Sequence, residues 1–331
     1  MMNQLQIRFI LADAYFEALL KAVPKAKKRI VIHAMTLLWG TRTKELAPHL
    51  IAAASRGIEV RIVGDIYSKF QARRPQLVRS KISSWAQTQT INEQLRASGV
   101  HVTYVGKLGV NPFKTRCHSK IVLIDDFIYT FGGINFSDDS LENHDYMFEI
   151  HDAALATRLY NIVRDIEKDT GKPLPDIREE LDVHTALLFD GGTIDESVIY
   201  ETACDVVAAA KKVYYVSQMC PSGRLAELIT ATENECYFVR ATQAEPPGPI
   251  DLIWNQLRYS ITNRYKGKTY VHAKFILTEG HDGSKHLISG SNNFSWRGIR
   301  YGTKEIALHS NDPKLWDVLY GFLQNEIVAA D

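Results

Sequence analysis

The sequence predicts an α/β protein built from two similar lobes, each a mixed β-sheet flanked by helices. Three observations predict it. Strand-like runs rich in β-branched residues alternate with helical patterns along the chain; one such unit is written twice; and a His-x-Lys pair on an apolar run occurs once in each copy. The 331 residues, 45% of them apolar, suffice for one large or two medium cores. The 39 Lys and Arg nearly cancel the 38 Asp and Glu, so no global field draws the chain to nucleic acid or to an anionic membrane, and any affinity for anions must be local.

The first unit opens with a short apolar run at 7–13 that ends on an aspartate, followed by a helical stretch at 14–23 and a buried strand at 26–35, AKKRIVIHAM. A helix pattern at 45–56 and Gly57 then lead to the strand IEVRIVGD. Residues 66–99 form an insertion in which Lys69, Arg73, Arg74, Arg79 and Lys81 are interleaved with Tyr67, Phe70 and Trp85. That composition suits either an anion-steering flap or a solvated helix-loop. The second unit repeats the order: an apolar run at 186–190 ending on Asp190, a helical stretch at 195–209, a strand at 210–219 (AKKVYYVSQM), a helix at 224–232 and the strand CYFVRAT. The polar stretch EKDTGKPLPDIREELD at 167–182 carries Gly171, Pro173 and Pro175 and marks the seam, which gives lobes of 1–172 and 173–331.

Each copy then delivers the same polar residues. In RCHSKIVLIDDFIYTFGGIN, strand alternation sends His118 and Lys120 to one face and Ser119 to the other; Gly132 and Gly133 permit close backbone approach, and Asn135 supplies an amide. The second copy offers His272, Lys274, Gly290, Ser291 and Asn293. Two imidazoles, two ammonium groups and two carboxamides suit a phosphodiester. One neutral imidazole attacks phosphorus, the other gives its proton to the departing oxygen, and the cationic and amide donors hold the equatorial oxygens. The chemistry requires no metal or other cofactor, and Cys117, Cys204, Cys220 and Cys236 have no metal-ligand spacing. A lone His-x-Lys arises readily by chance; its recurrence at the matching place of a repeated unit is what gives it weight. The other nine histidines, His33 among them, lack a repeated context and read as structural or surface groups.

These residues resemble the phospholipase D superfamily, whose pattern is HxKxxxxD followed by GGxN or GSxN. The first copy fits fully through His118, Lys120, Asp125, Gly132, Gly133 and Asn135; the second places Glu279 where the aspartate is expected and inserts GHDGSK before Gly290. FKTRCHSKIVLIDD, with Phe113 and Arg116, is similar to bacterial cardiolipin synthases and related phosphatidyltransferases. The resemblance implies the two-lobed fold of that family and a two-step reaction through a phosphohistidine, with His118 as nucleophile and His272 as acid and then base. It also implies that Lys120, Lys274, Asn135 and Asn293 bind phosphate, that Asp125 and Glu279 serve the framework, and that an acidic residue after each motif orients a histidine. Asp145, with Glu149 as its competitor, and Glu305 are the candidates for that last role. Arg116, Ser137 and Ser295 are candidate additional substrate donors.

The implied substrate is a glycerophospholipid. The competing substrate within the same superfamily is DNA or RNA, for which Arg73, Arg74, Arg79 and Lys81 with Arg258, Arg264, Lys266 and Lys268 would supply a local basic groove. A catalytically silent scaffold is disfavoured because both residue sets are intact. Both motifs in one chain imply activity as a monomer. The first residues do not read as a signal or transit peptide, and no apolar run approaches the roughly 18 residues of a membrane span. The expected location is cytoplasmic, with peripheral membrane contact through the aromatics of 66–99 or through TLLWG at 36–40 as the alternative to a core role for those residues.

Overall fold

The computed structural model describes residues 4–72, 85–107, 114–168, 171–244 and 248–329. The chain divides into two compact units, Gln6–Leu174 and Pro175–Asp331, with Gln4 and Leu5 belonging to the second. Those two residues are tied there by hydrogen bonds: the Leu5 N–H donates to Asp182 Oδ2 at 2.7 Å and the Gln4 amide to Asp312.

Each unit is built on one seven-stranded mixed sheet. In the first, the strands are β1 (Ile7–Leu11), β2 (Arg29–Ala34), β3 (Glu59–Asp65), β4 (His101–Val105), β5 (Ile121–Ile124), β6 (Phe127–Thr130) and β7 (Tyr146–His151), in the order β1-β7-β6-β5-β2-β3-β4. In the second they are β8 (Ile177–Glu180), β9 (Thr185–Asp190), β10 (Ala210–Ser217), β11 (Glu233–Phe238), β12 (Phe275–Gly280), β13 (Lys285–Gly290) and β14 (Glu305–Ser310). Their order, β8-β9-β14-β13-β12-β10-β11, reproduces the first sheet strand for strand over six positions. The first unit adds β4 beyond β3; the second adds β8 beyond β9. In both, the strand entered from the repeated Ala-Lys-Lys pairs parallel to the next strand and antiparallel to the strand that follows the His-x-Lys motif. A parallel neighbour requires a helical crossover, and Leu46–Ser55 and Arg224–Thr230 provide it, each burying its apolar face.

The central strands are buried on both faces. Ile30, Val31, Ile32, Ile62, Val63, Ile121 and Leu123 are 0–3% exposed in the first unit, as are Val213, Tyr215, Ile276, Leu277, Leu287 and Ile288 in the second. That explains why these strands read as near-continuous apolar runs rather than as alternation.

One candidate membrane contact resolves as interior. In TLLWG, Leu37, Leu38 and Trp39 are at most 3% exposed, and Trp39 Nε1 donates to Asn92 Oδ1 at 2.9 Å on the helix Trp85–Ala97. Trp85 packs edge-on against Tyr104, with centroids 5.3 Å apart. The far side of the 66–99 insertion is therefore a packed element, held by aromatic and amide contacts. Arg73, Arg74, Arg79 and Lys81, like Phe113, lie outside the described residues.

Candidate active site

In each unit the His-x-Lys pair occupies the three residues before a strand instead of the strand itself: β5 starts at Ile121 and β12 at Phe275. Side chains still alternate there. Ser119, between His118 and Lys120, turns to the sheet interior, where its Oγ meets His33 Nε2 at 2.9 Å. His33 Nδ1 is bonded to the Val63 carbonyl at 3.0 Å, so this imidazole is fully used in the core, and burial pushes its pKa down to about 4. It supports the motif from beneath without taking part in it.

His118 and His272 are each 8% exposed, Lys120 and Lys274 at most 1%. Each lysine folds back so that its Nζ donates to the backbone carbonyl of its own histidine, Lys120 to His118 and Lys274 to His272. A buried ammonium is costly without such partners. The two motifs share this arrangement atom for atom, although the flanking sequences RCHSKIV and YVHAKFI share little else.

The glycines downstream explain themselves by contact. A Cβ on Gly132 would land on the Tyr146 carbonyl oxygen, and one on Gly290 would land on that of Ile306. Tyr146 follows Asp145, and Ile306 follows Glu305, so the same close approach places an acidic residue in each unit. Asp145 Oδ1 accepts the N–H of Gly133 at 3.1 Å and that of Tyr146 at 2.8 Å. Glu305 Oε2 accepts the hydroxyl of Ser291, the residue equivalent to Gly133. Asp145 and Glu305 are buried at 1% and 5% exposure, while Glu149 points elsewhere and pairs with Arg8 at 2.7 Å. Of the two first-unit candidates, Asp145 is the one at the motif.

Asn135 Oδ1 accepts the Thr36 N–H at 3.2 Å, which orients the amide and leaves Nδ2 as a donor. Asn293 Oδ1 is buried with no hydrogen-bond partner among the described residues. Ser137 Oγ lies 2.9 Å from Ser140 Oγ, and Ser295 precedes the short helix Trp296–Arg300.

Two expected roles change. Arg116 is not a substrate donor: it is 2% exposed, pairs with Asp65 through Nη1 at 2.7 Å, and spends Nη2 and Nε on the carbonyls of Lys107 and Lys114. Asp65 also accepts the Cys117 N–H at 2.8 Å, so the pair fixes the entry to the motif. Nor is Glu279 the counterpart of Asp125. Asp125 stands at the β5–β6 turn with φ +55°, a conformation aspartate tolerates, and its carboxylate accepts the N–H groups of Lys27, Lys28 and Arg29 at 2.7–3.1 Å. Partial burial alone would raise its pKa; those three bonds outweigh it and hold the pKa below the ordinary value. β12 runs on through Gly280, so Glu279 stays within the strand opposite Lys212 and Lys285, and among the described residues its hydrogen-bond partner is Tyr214, at 3.4 Å.

One residue was not singled out beforehand. Asp190, at the end of β9, is the cross-strand partner of Glu305 and is 2% exposed. It accepts the Ser197 hydroxyl at 2.6 Å and the Ile199 N–H at 3.1 Å, with Asn292 Nδ2 at 3.4 Å. Burial, reinforced by Asp176 and Glu305 against those first two bonds, pushes its pKa up to about 8. Its sequence signal was the apolar run that stops on an aspartate. Among the described residues no group of three or more His, Cys, Asp or Glu comes together as a metal-ligating set, and no helix is long and apolar enough to cross a membrane.

Residues 19–166, which carry the whole first motif, match the family model described as "Cardiolipin synthase, PLD-like domain". The first unit is therefore similar in sequence to that family over most of its length. Cardiolipin synthase B of Shigella flexneri is 29% identical over 138 residues, which is 40% of this chain and 30% of that protein. Cardiolipin synthase A of Pectobacterium carotovorum is 28% identical over 236 residues, 63% of this chain and 45% of that protein. The chain thus spans less than half the length of the curated relatives it matches. Among solved structures, phosphatidylserine synthase of Haemophilus influenzae Rd KW20 aligns over 97% of this chain and 85% of its own, with a TM-score of 0.70 at 16% identity, which is a likeness of fold.

Proposed function

We propose that the protein is a phosphodiesterase of the phospholipase D type that cleaves or transfers the phosphatidyl group of a glycerophospholipid, without a metal, through a phosphohistidine. The observation that carries the reading is the likeness of the two half-sites: histidine, a lysine folded onto the histidine carbonyl, a close-approach glycine, a bonded acidic residue and an asparagine, all at matching places around equivalent strands.

In the first step the neutral imidazole of His118 attacks phosphorus; an N–P bond forms and the P–O bond to the leaving alcohol breaks. The His272 imidazolium donates its proton to that oxygen. In the second step neutral His272 takes the proton of water or of an acceptor alcohol, whose oxygen attacks phosphorus and expels His118. Lys120, Lys274 and the amides of Asn135 and Asn293 stabilise the equatorial oxygens. Asp145 and Glu305 position the loops that carry Asn135 and Asn293.

The lipid class is supported by the similarity to cardiolipin synthases. The test offers purified protein phosphatidylglycerol, phosphatidylcholine and single-stranded DNA side by side, in the presence of EDTA. Release or exchange of a lipid headgroup, abolished in His118→Ala, is the expected result. Products from DNA alone would assign the site to a nuclease, and chelator-sensitive turnover would contradict the mechanism.

A further inference from the structure

The helix Gly248–Tyr259 in the second unit carries an exposed apolar stripe. Ile250, Ile253, Trp254 and Leu257 are 74%, 49%, 63% and 75% exposed, whereas Leu252 on the opposite side is 1% exposed and anchors the helix. A single exposed leucine is ordinary; four large apolar side chains at i, i+3, i+4 and i+7 form one continuous face. The helix itself is held in place, with the Tyr259 hydroxyl accepting the Gly223 N–H at 3.1 Å and Asp251 paired with Arg297.

Cations follow this face directly. The Ile261 N–H bonds back to the Gln256 carbonyl at 3.1 Å, turning the chain at the end of the helix. Beyond that turn, Arg264, Lys266 and Lys268 are exposed in alternation with buried Tyr265 and Gly267, and Arg258 is exposed on the helix. From 248 to 270 the sequence holds these four cations and one acid, Asp251, which Arg297 occupies.

We propose that this face docks on an anionic lipid bilayer. Ile250, Ile253 and Leu257 would enter the acyl boundary, the Trp254 indole would sit at headgroup level, and Arg258, Arg264, Lys266 and Lys268 would meet lipid phosphates. The inference rests on the lipid reading of the site and deepens it, because the cationic segment runs straight into His272 four residues beyond Lys268. Nucleic acid would use the cations and leave three aliphatic side chains in water. A symmetric second copy would bring like charges together.

The experiment measures binding to phosphatidylglycerol vesicles and to phosphatidylcholine vesicles, alongside turnover of a short-chain phosphatidylglycerol kept monomeric. The full chain should prefer the anionic vesicles. Trp254→Ala with Leu257→Ala should weaken that binding on the order of a hundredfold, and Arg264→Gln with Lys266→Gln and Lys268→Gln should remove the anionic preference, while both variants turn over the monomeric lipid as the parent does. Absence of vesicle binding in the parent, undiminished binding in the Trp254/Leu257 variant, or a concentration-dependent dimer that this variant abolishes would each overturn the proposal. Turnover of monomeric lipid without vesicle binding would sink docking alone; vesicle binding without turnover would sink the lipid enzyme alone.

Discussion

Asp125 and Gly132 in the first half-site, and Gly290 in the second, set precision at the level of single atoms. Because Asp125 gathers three N–H groups ahead of β2, Asp125→Asn should cost about 1–3 kcal/mol in denaturant unfolding while leaving the motif chemistry in place. Glu279→Gln, whose carboxylate has no such backbone ring, should cost well under that amount. Gly132→Ala and Gly290→Ala drive a methyl onto a backbone carbonyl and should each destabilise by about 3 kcal/mol or more. Two buried groups shape the pH dependence of stability in opposite directions. His33 is neutral in the fold down to about pH 4, against an ordinary value of 6.5, so its contribution is complete above 6.5 and is lost as pH falls towards 4. Asp190, raised from 3.8 to about 8, contributes fully below 3.8 and loses that contribution as pH rises to 8. Urea midpoints across pH 4–8 should therefore show a flatter acid limb in His33→Gln and a flatter neutral limb in Asp190→Asn; unchanged slopes would remove both assignments.

At the scale of elements, the strand-helix alternation and the duplication were legible because each buried strand is a compact run of β-branched residues bounded by polar helix ends. The Ala-Lys-Lys strands, the crossover helices and the strands after each motif all occur where the pattern places them. What the sequence hides is contact across the sheet. Arg116 has the composition of a phosphate donor, and only the position of Asp65, 51 residues earlier and at the end of β3, shows that it is spent inside. Glu279 fits the family spacing by count, but β12 continues through Gly280 and carries the turn past it. TLLWG is as apolar as a membrane loop until Asn92, from a distant helix, accepts the indole N–H of Trp39. Conversely, Ile250, Ile253, Trp254 and Leu257 have the spacing of any core-facing helix, and their exposure appears only in three dimensions. Trp39→Phe, which strands the buried Asn92 carbonyl, should cost about 1–3 kcal/mol, read from thermal or urea unfolding.

For the whole molecule, the duplicated topology gives each half one imidazole, and the reaction described above needs two. His118→Ala and His272→Ala should therefore each reduce turnover by about 10²-fold or more, and the double variant should be little worse than either, as groups acting in one step are not additive. The two histidines are distinguishable by what accumulates. With His272 replaced by alanine, breakdown of the covalent intermediate loses its base, and quenched protein incubated with substrate should carry a phosphatidyl or phosphoryl adduct on the peptide containing His118, labile to acid and detected by peptide mass mapping. An adduct on that peptide, absent in His118→Ala, is the result this account predicts; turnover with no histidine-linked phosphorus on either motif would contradict it.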